Sequence, residues 1–106
     1  MRFDVCIFST GLMIAALGPA HAADVTVYQE GKNFSETAVT IKTGDTVTFT
    51  NKDPVTHNVY SDTPGMAFDL KQQKPGASTT ITFDHAGKAT VQCAIHPLMK
   101  MQVDVQ

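Results

Sequence analysis

The sequence predicts an all-β fold, a Greek-key antiparallel β-sandwich formed by one domain. Short segments in which apolar and polar residues alternate are separated by turn-forming residues at roughly ten-residue spacing. No segment shows a helical period of useful length. The composition, 42% hydrophobic and 17% charged, is that of a compact globular chain rather than a disordered one.

The first half of the domain contains four candidate strands. Val25 and Val27 lie two residues apart in an alternating segment, and Val47 and Phe49 repeat this period. Thr43-Gly44-Asp45 has turn composition, so the strands on either side of it are predicted to form a hairpin. The candidate strands are 24–29, 37–41, 46–51 and 55–60.

The second half begins with a loop and ends in three strands. Residues 61–76 contain two prolines and two glycines, which favours a long loop with at most one helical turn. Alternation resumes at 78–83 and at 89–93. Met101, Val103 and Val105 then share one face of a last strand.

The first 22 residues have the features of a cleavable signal peptide. A positive start at Arg2, an apolar run over residues 5–17 and the pattern Ala20-His21-Ala22 precede Ala23. The run is shorter than the roughly 20 apolar residues of a membrane span. We therefore expect export to the periplasm, no membrane insertion, and a working domain over residues 23–106.

The charge excludes a nucleic-acid footprint. The net charge is −2, the lysines are scattered, and the one arginine, Arg2, lies in the predicted leader. Removal of the leader also removes Cys6 and leaves Cys93 as a single cysteine, which cannot form an internal disulfide. Cys93 is therefore a buried thiol, an intermolecular partner or a metal ligand.

Soft donor groups cluster between the last two predicted strands. Cys93, His96 and Met99 form a C-x2-H-x2-M pattern, and His57 lies upstream on the short strand 55–60. A thiolate, a thioether and two imidazoles match copper with a weak axial methionine, whereas structural zinc rarely uses methionine. Each residue alone is more often a packing residue. Their joint spacing favours a metal site.

These segments resemble the cupredoxins, the small type 1 copper proteins, over essentially the whole domain. The similarity covers residues 42–51, the His57-Asn58-Val59 segment and the ligand loop 93–99. The short loop is most similar to the amicyanin type, since plastocyanin and pseudoazurin have a longer interval to methionine. The resemblance implies a β-sandwich, one Cu(I)/Cu(II) ion and one-electron transfer. By position, it implies His57, Cys93, His96 and Met99 as ligands.

Two details of the ligand loop remain open in the sequence. Met101 also fits a plastocyanin-like spacing, although we favour Met99 because Met101 begins the apolar face of the last strand. Ile95 replaces the proline usual in amicyanin-like loops and keeps an N–H that could donate to the Cys93 sulfur. Ala94 has no hydroxyl group, so the usual tie from Asn58 is weakened or made to the backbone.

The resemblance favours an electron shuttle. His96 is expected at the surface, with Ile95, Pro97 and Leu98 as an apolar patch for transient docking of redox partner proteins. The protein is expected to be a monomer and not an enzyme, because a four-ligand site leaves no open position for substrate. An enzyme such as a copper oxidase and a metal-free binding or structural domain are equally disfavoured.

The alternative is a periplasmic copper-handling or copper-tolerance protein that binds or oxidises Cu(I). Met66, Met101 and His85 would then act as additional soft donors. More than one tightly bound copper ion per chain would favour this alternative over the shuttle.

Overall fold

A computed structural model describes residues 22–106, which form nine β-strands. The predicted leader lies outside this range except for residue 22. No helix of the described part is long and apolar enough to cross a membrane. The strands are β1 (Asp24–Glu30), β2 (Asn33–Phe34), β3 (Ala38–Ile41), β4 (Thr46–Asn51), β5 (Val59–Ser61), β6 (Phe68–Asp69), β7 (Ser78–Thr82), β8 (Gly87–Cys93) and β9 (Lys100–Val105).

The strands form two sheets, which confirms the predicted β-sandwich. The four-stranded sheet has the order β2-β1-β4-β7, and the five-stranded sheet has the order β3-β9-β8-β5-β6. Each sheet contains one parallel pair, β1 with β4 and β3 with β9, and the other pairs are antiparallel. The sheets are therefore mixed rather than purely antiparallel.

The hairpin predicted from strands 37–41 and 46–51 is wrong. β3 pairs with β9 in one sheet, whereas β4 pairs with β1 and β7 in the other. The intervening turn carries the chain between sheets, and the Asp45 carboxylate closes it by accepting the N–H groups of Lys42 and Ala23, both at 2.9 Å. Gly44 adopts a φ of 91°, which side chains disfavour.

The segment predicted as strand 55–60 also differs. β5 begins only at Val59, and His57 forms an isolated bridge with Gln73. The loop 61–76 contains the two-residue strand β6, and β2 was not predicted. Two residues carry too little alternation to identify a strand from the sequence.

The core lies between the sheets and contains a row of phenylalanine rings. Phe49 is fully buried, with ring centroids 6.4 Å from Phe34 and 5.9 Å from Phe68. Phe68 meets Phe83 edge to face at 6.0 Å. Burial of these large rings supplies much of the hydrophobic stabilisation of a small domain.

The central strands carry the core face to one end of the sandwich. Ala89, Val91 and Cys93 alternate inward along β8 and are at most 2% exposed. Cys93 is the last residue of β8 and lies opposite Val59 of β5. The thiol therefore sits where the buried core meets the loops.

We predict that Asp45→Asn removes a pH-dependent part of the stability. Hydrogen bonds from the Lys42 and Ala23 N–H groups lower the pKa of the Asp45 carboxyl from its ordinary value of 3.8, against the opposing effect of burial. A lowered folded pKa means that this contribution is full above pH 3.8 and is lost as the pH falls through the folded value.

Chemical unfolding of the copper-free protein at neutral and acidic pH measures this effect. Asp45→Asn should lower the free energy of unfolding at neutral pH, and the difference from wild type should shrink below pH 3.8. Asp84→Asn, an exposed position in the β7–β8 turn, is the control. A difference that stayed constant down to pH 2 or grew would contradict the prediction.

Candidate metal centre

Three side chains from two parts of the chain converge at the end of the core. His57 Nδ1 and His96 Nδ1 are 3.1 Å apart, and the Cys93 Sγ lies 3.6 Å from the first and 3.7 Å from the second. Within residues 22–106, these are the one group of His, Cys, Asp or Glu side chains that could hold a metal ion, with donor atoms within 4.8 Å of one another.

Met99 lies opposite Cys93, where the β8–β9 pairing continues past the strand ends. The Cys93 N–H donates to the Met99 carbonyl at 3.3 Å, and the Met99 N–H donates to the His96 carbonyl at 2.9 Å. Residues opposite each other in an antiparallel pair place their side chains on the same face. Met99 is 1% exposed, whereas Met101 lies one step farther into the core, opposite Val91.

His57 is held on both sides of its backbone. Its N–H donates to the Gln73 carbonyl at 3.0 Å, and its carbonyl accepts the Gln73 N–H at 2.7 Å. The ring is fully buried, and Nε2 lies 2.7 Å from Asp53 Oδ2. These contacts fix the direction of Nδ1, which faces Cys93 and His96.

The Asp53 carboxylate determines which ring nitrogen of His57 is free. Asp53 is 6% exposed and also accepts the N–H groups of Gly31 at 2.5 Å and Lys32 at 2.8 Å. Burial alone would raise the pKa of Asp53, but the hydrogen bonds from His57, Lys32 and Gly31 outweigh it and lower the pKa. A hydrogen bond from Nε2 to this carboxylate places the ring proton on Nε2, so Nδ1 is the nitrogen left to bind a metal ion.

The sulfur of Cys93 receives a backbone hydrogen bond from Asn58 at 3.4 Å. Among the described residues, this donor is Asn58 rather than Ile95, so the structure does not support the donor role predicted for Ile95. The Ala94 N–H donates to the Asn58 carbonyl at 2.9 Å. The two ligand segments are thus tied through the backbone, as the missing hydroxyl group of Ala94 implies.

The cluster fits a soft or borderline cation. Two imidazole Nδ1 atoms and the Cys93 Sγ lie 3.1–3.7 Å from one another in a mostly buried space, so a single metal ion can contact all three. Cys93 adds a soft sulfur donor of the kind that selects copper.

The centre is closed except at His96. His57, Cys93 and Met99 are at most 2% exposed, whereas His96 is half-buried. Around it, Ile95 is 49% and Leu98 96% exposed. The exposed side chains of the loop beside His96 are therefore apolar, as predicted.

The polar residues that support His57 do not stand out in the sequence. The Asn51 side-chain amide donates to the carbonyls of Val55 at 2.8 Å and Gln73 at 2.9 Å, and its Oδ1 accepts the Asp53 N–H at 2.8 Å. Gln73 is 2% exposed and donates to the Phe49 carbonyl at 3.1 Å. The one sequence signal was an Asp-Pro turn just before the histidine.

Comparison with known proteins identifies this kind of centre. Residues 21–106 match the family described as copper binding proteins, plastocyanin/azurin family. The chain belongs to this family of copper-binding proteins. Copper is therefore the cofactor of this cupredoxin, in agreement with its donor set.

Two relatives carry the name methylamine utilization protein MauL. The protein of Methylorubrum extorquens is 30% identical over 88 residues, which cover 82% of this cupredoxin and 77% of the relative. The protein of Methylophilus methylotrophus is 29% identical over 89 residues, covering 81% of this chain and 50% of the relative. This chain thus spans half the length of the second relative.

Solved structures of copper proteins share the fold. A methionine-to-alanine variant of amicyanin in the Cu(I) state has a TM-score of 0.72 and 26% identity, covering 87% of this chain and 89% of amicyanin. A purple cupredoxin from Nitrosopumilus maritimus has a TM-score of 0.69 and 26% identity. The match covers 78% of this chain and 100% of that protein. A copper-containing nitrite reductase from Thermus scotoductus has a TM-score of 0.74 and 28% identity. The match covers 85% of this chain but only 24% of that enzyme.

We predict that Asp53→Asn destabilises the copper-free cupredoxin by about 2 kcal/mol, since a buried charged acceptor serves three donors. The same change should raise the reduction potential of the loaded protein, because a neutral partner makes His57 a weaker donor to Cu(II). Chemical unfolding and cyclic voltammetry measure the two effects.

Asp84→Asn removes the same charge at the opposite end of the sandwich and serves as the control. It should change neither quantity. A potential that stayed the same or fell in Asp53→Asn would contradict the role assigned to the carboxylate.

Proposed function

We propose that this cupredoxin is an exported type 1 copper protein that carries single electrons between redox partners in the periplasm. One copper ion would be held by His57, Cys93, His96 and Met99. The convergence of two Nδ1 atoms and one Sγ within 4.8 Å carries the proposal.

The bound copper supplies a one-electron couple between Cu(I) and Cu(II). The chain contributes a site that changes little between these states, because its donors project from paired strands and closed loops. Asp53 and Gln73 orient His57, while the Cys93–Met99 ladder orients the loop. A fixed set of nitrogen and sulfur donors accommodates both oxidation states with little rearrangement.

The half-buried His96 is the proposed edge for electron exchange. It is the one proposed ligand of the four with appreciable exposure, and Ile95, Pro97 and Leu98 surround it with exposed apolar surface. A small apolar contact suits partners that must bind and leave quickly. We propose that the protein acts as a monomer and docks partners here.

Packing of the spare sulfur donors supports a carrier over a copper-handling protein. Met101 is 2% exposed and lies opposite Val91. Met66 is 9% exposed, and its Cε lies at van der Waals distance, 3.4 Å, from where a β-carbon on Gly87 would be. Both contacts favour roles in packing. The four-donor centre likewise supports electron transfer without enzymatic turnover.

A titration of residues 23–106 with Cu(II), followed by reduction, tests the site. An intense thiolate-to-copper absorption band should saturate at one equivalent and bleach on reduction. Cys93→Ser should abolish the band. Met99→Leu should shift the spectrum and raise the potential, whereas the matched variant Met101→Leu should retain the wild-type spectrum.

The opposite assignment of the two methionines would be revealed by a shifted spectrum in Met101→Leu alone. If no intense band formed in the wild type, the electron-carrier proposal itself would fail.

We also propose that residues 1–22 are removed on export. The Ala23 nitrogen lies 2.9 Å from Asp45 Oδ1, so cleavage before Ala23 would turn a neutral donor into an ammonium group beside a carboxylate. The new N-terminal ammonium group would then bind the Asp45 carboxylate more strongly than the neutral N–H does. Intact mass of the periplasmic protein should correspond to residues 23–106, and a mass that retains residues 1–22 would contradict this proposal.

A further inference from the structure

The β1–β2 hairpin has a tight turn with an unusual residue in it. Gly31 and Lys32 connect the paired residues Glu30 and Asn33, and their φ values are 63° and 59°. Two consecutive positive φ angles are typical of a type I′ turn, which favours Asn and Gly. A lysine at the second position therefore carries backbone strain, which is maintained only where surrounding contacts enforce it.

The buried Asp53 carboxylate enforces this turn and also holds the proposed copper ligand. Its Oδ1 accepts the Gly31 N–H, and its Oδ2 accepts both the Lys32 N–H at 2.8 Å and His57 Nε2 at 2.7 Å. The position of the turn is thus fixed relative to His57. Lys32 is presented on a rigid support beside the metal centre.

The turn forms one wall of the groove over the centre. Residues 31–33 face residues 95–99 across this groove, which includes His96. Among the described residues that line it, Lys32 is the one Lys, Arg, Asp or Glu. On its other side the turn lies next to Pro54 and Val55. The Asp53 carboxylate on that side is engaged by the Gly31 and Lys32 N–H groups and by His57. Lys32 therefore places a cation between two exposed apolar segments.

We propose that Lys32 is the electrostatic recognition residue of this docking surface, and that the redox partner presents a carboxylate next to its apolar contact area. This inference rests on the proposed electron-carrier function. The chain has a net charge of −2, so Lys32 is a local positive charge on a protein that is negative overall. A carboxylate of the partner is attracted to this one position. Such complementarity orients the encounter and increases its rate.

An anion-binding experiment tests the surface without copper. Hexacyanocobaltate(III), a redox-inert trianion, is titrated into isotope-labelled copper-free protein at low ionic strength. Amide NMR signals of residues 31–33 and of Ile95, His96 and Leu98 should shift in the wild type and in Lys32→Arg. The shifts should be lost in Lys32→Asn, because asparagine tolerates positive φ but has no charge.

Lys88→Gln is the matched control, since it also removes one positive charge. Lys88 is exposed on β8, roughly 16 Å along the strand from Cys93. It should leave the anion shifts in place.

Electron-transfer kinetics provide a second readout with the Cu(I) protein. Ferricyanide, an anion, and tris(phenanthroline)cobalt(III), a cation, each accept one electron as Cu(I) becomes Cu(II). In Lys32→Asn the ferricyanide rate constant should fall about threefold at low ionic strength, while that of the cobalt complex rises. The ratio of the two rates separates charge effects from changes in potential.

The inference is overturned if Lys32→Asn retains the anion shifts or leaves the ratio of the two rates unchanged. Failure of the carrier proposal looks different. In that case the wild type would form no thiolate-to-copper band and would not react with either oxidant, while the NMR titration would still decide the role of Lys32.

Discussion

The hydrogen bond between the Asp53 carboxylate and His57 Nε2 is the interaction on which the centre depends. It fixes the protonated nitrogen and leaves Nδ1 facing Cys93 and His96. The same carboxylate closes the Gly31–Lys32 turn, so one buried charge links the metal site to the surface above it. Because this charge is buried, its three hydrogen bonds must compensate for lost hydration.

The sandwich positions the other donors by ladder geometry rather than by individual contacts. β8 places Cys93 at the end of the core, and β9 returns so that Met99 lies opposite it. Of Cys93, His96 and Met99, only His96 is partly exposed, on the short loop between the two strands. A rigid, mostly buried centre with one exposed edge suits electron exchange, since water is excluded while a partner can still approach.

The sequence predicted the convergence of His57, Cys93 and His96 better than it predicted the polar residues that support them. Cys93, His96 and Met99 lie in one short motif, and alternation identified β1, β4 and β8 because each is long enough to show a period. The predicted hairpin failed because turn composition does not specify which sheet each strand joins. Asp53 and Gln73 were missed because their burial depends on partners that are distant in sequence. Asp53 accepts the Gly31 and Lys32 N–H groups, and Gln73 bonds to Gln29 and bridges to His57.

X-ray absorption at the copper edge tests the central claim most directly, since it identifies the atoms bound to the metal. The account predicts one short copper–sulfur bond and two copper–nitrogen bonds, with the sulfur absent in Cys93→Ser. A copper ion with only nitrogen and oxygen neighbours in the wild-type protein would contradict it. The His57, Cys93 and His96 cluster would then be a packing arrangement rather than a copper centre.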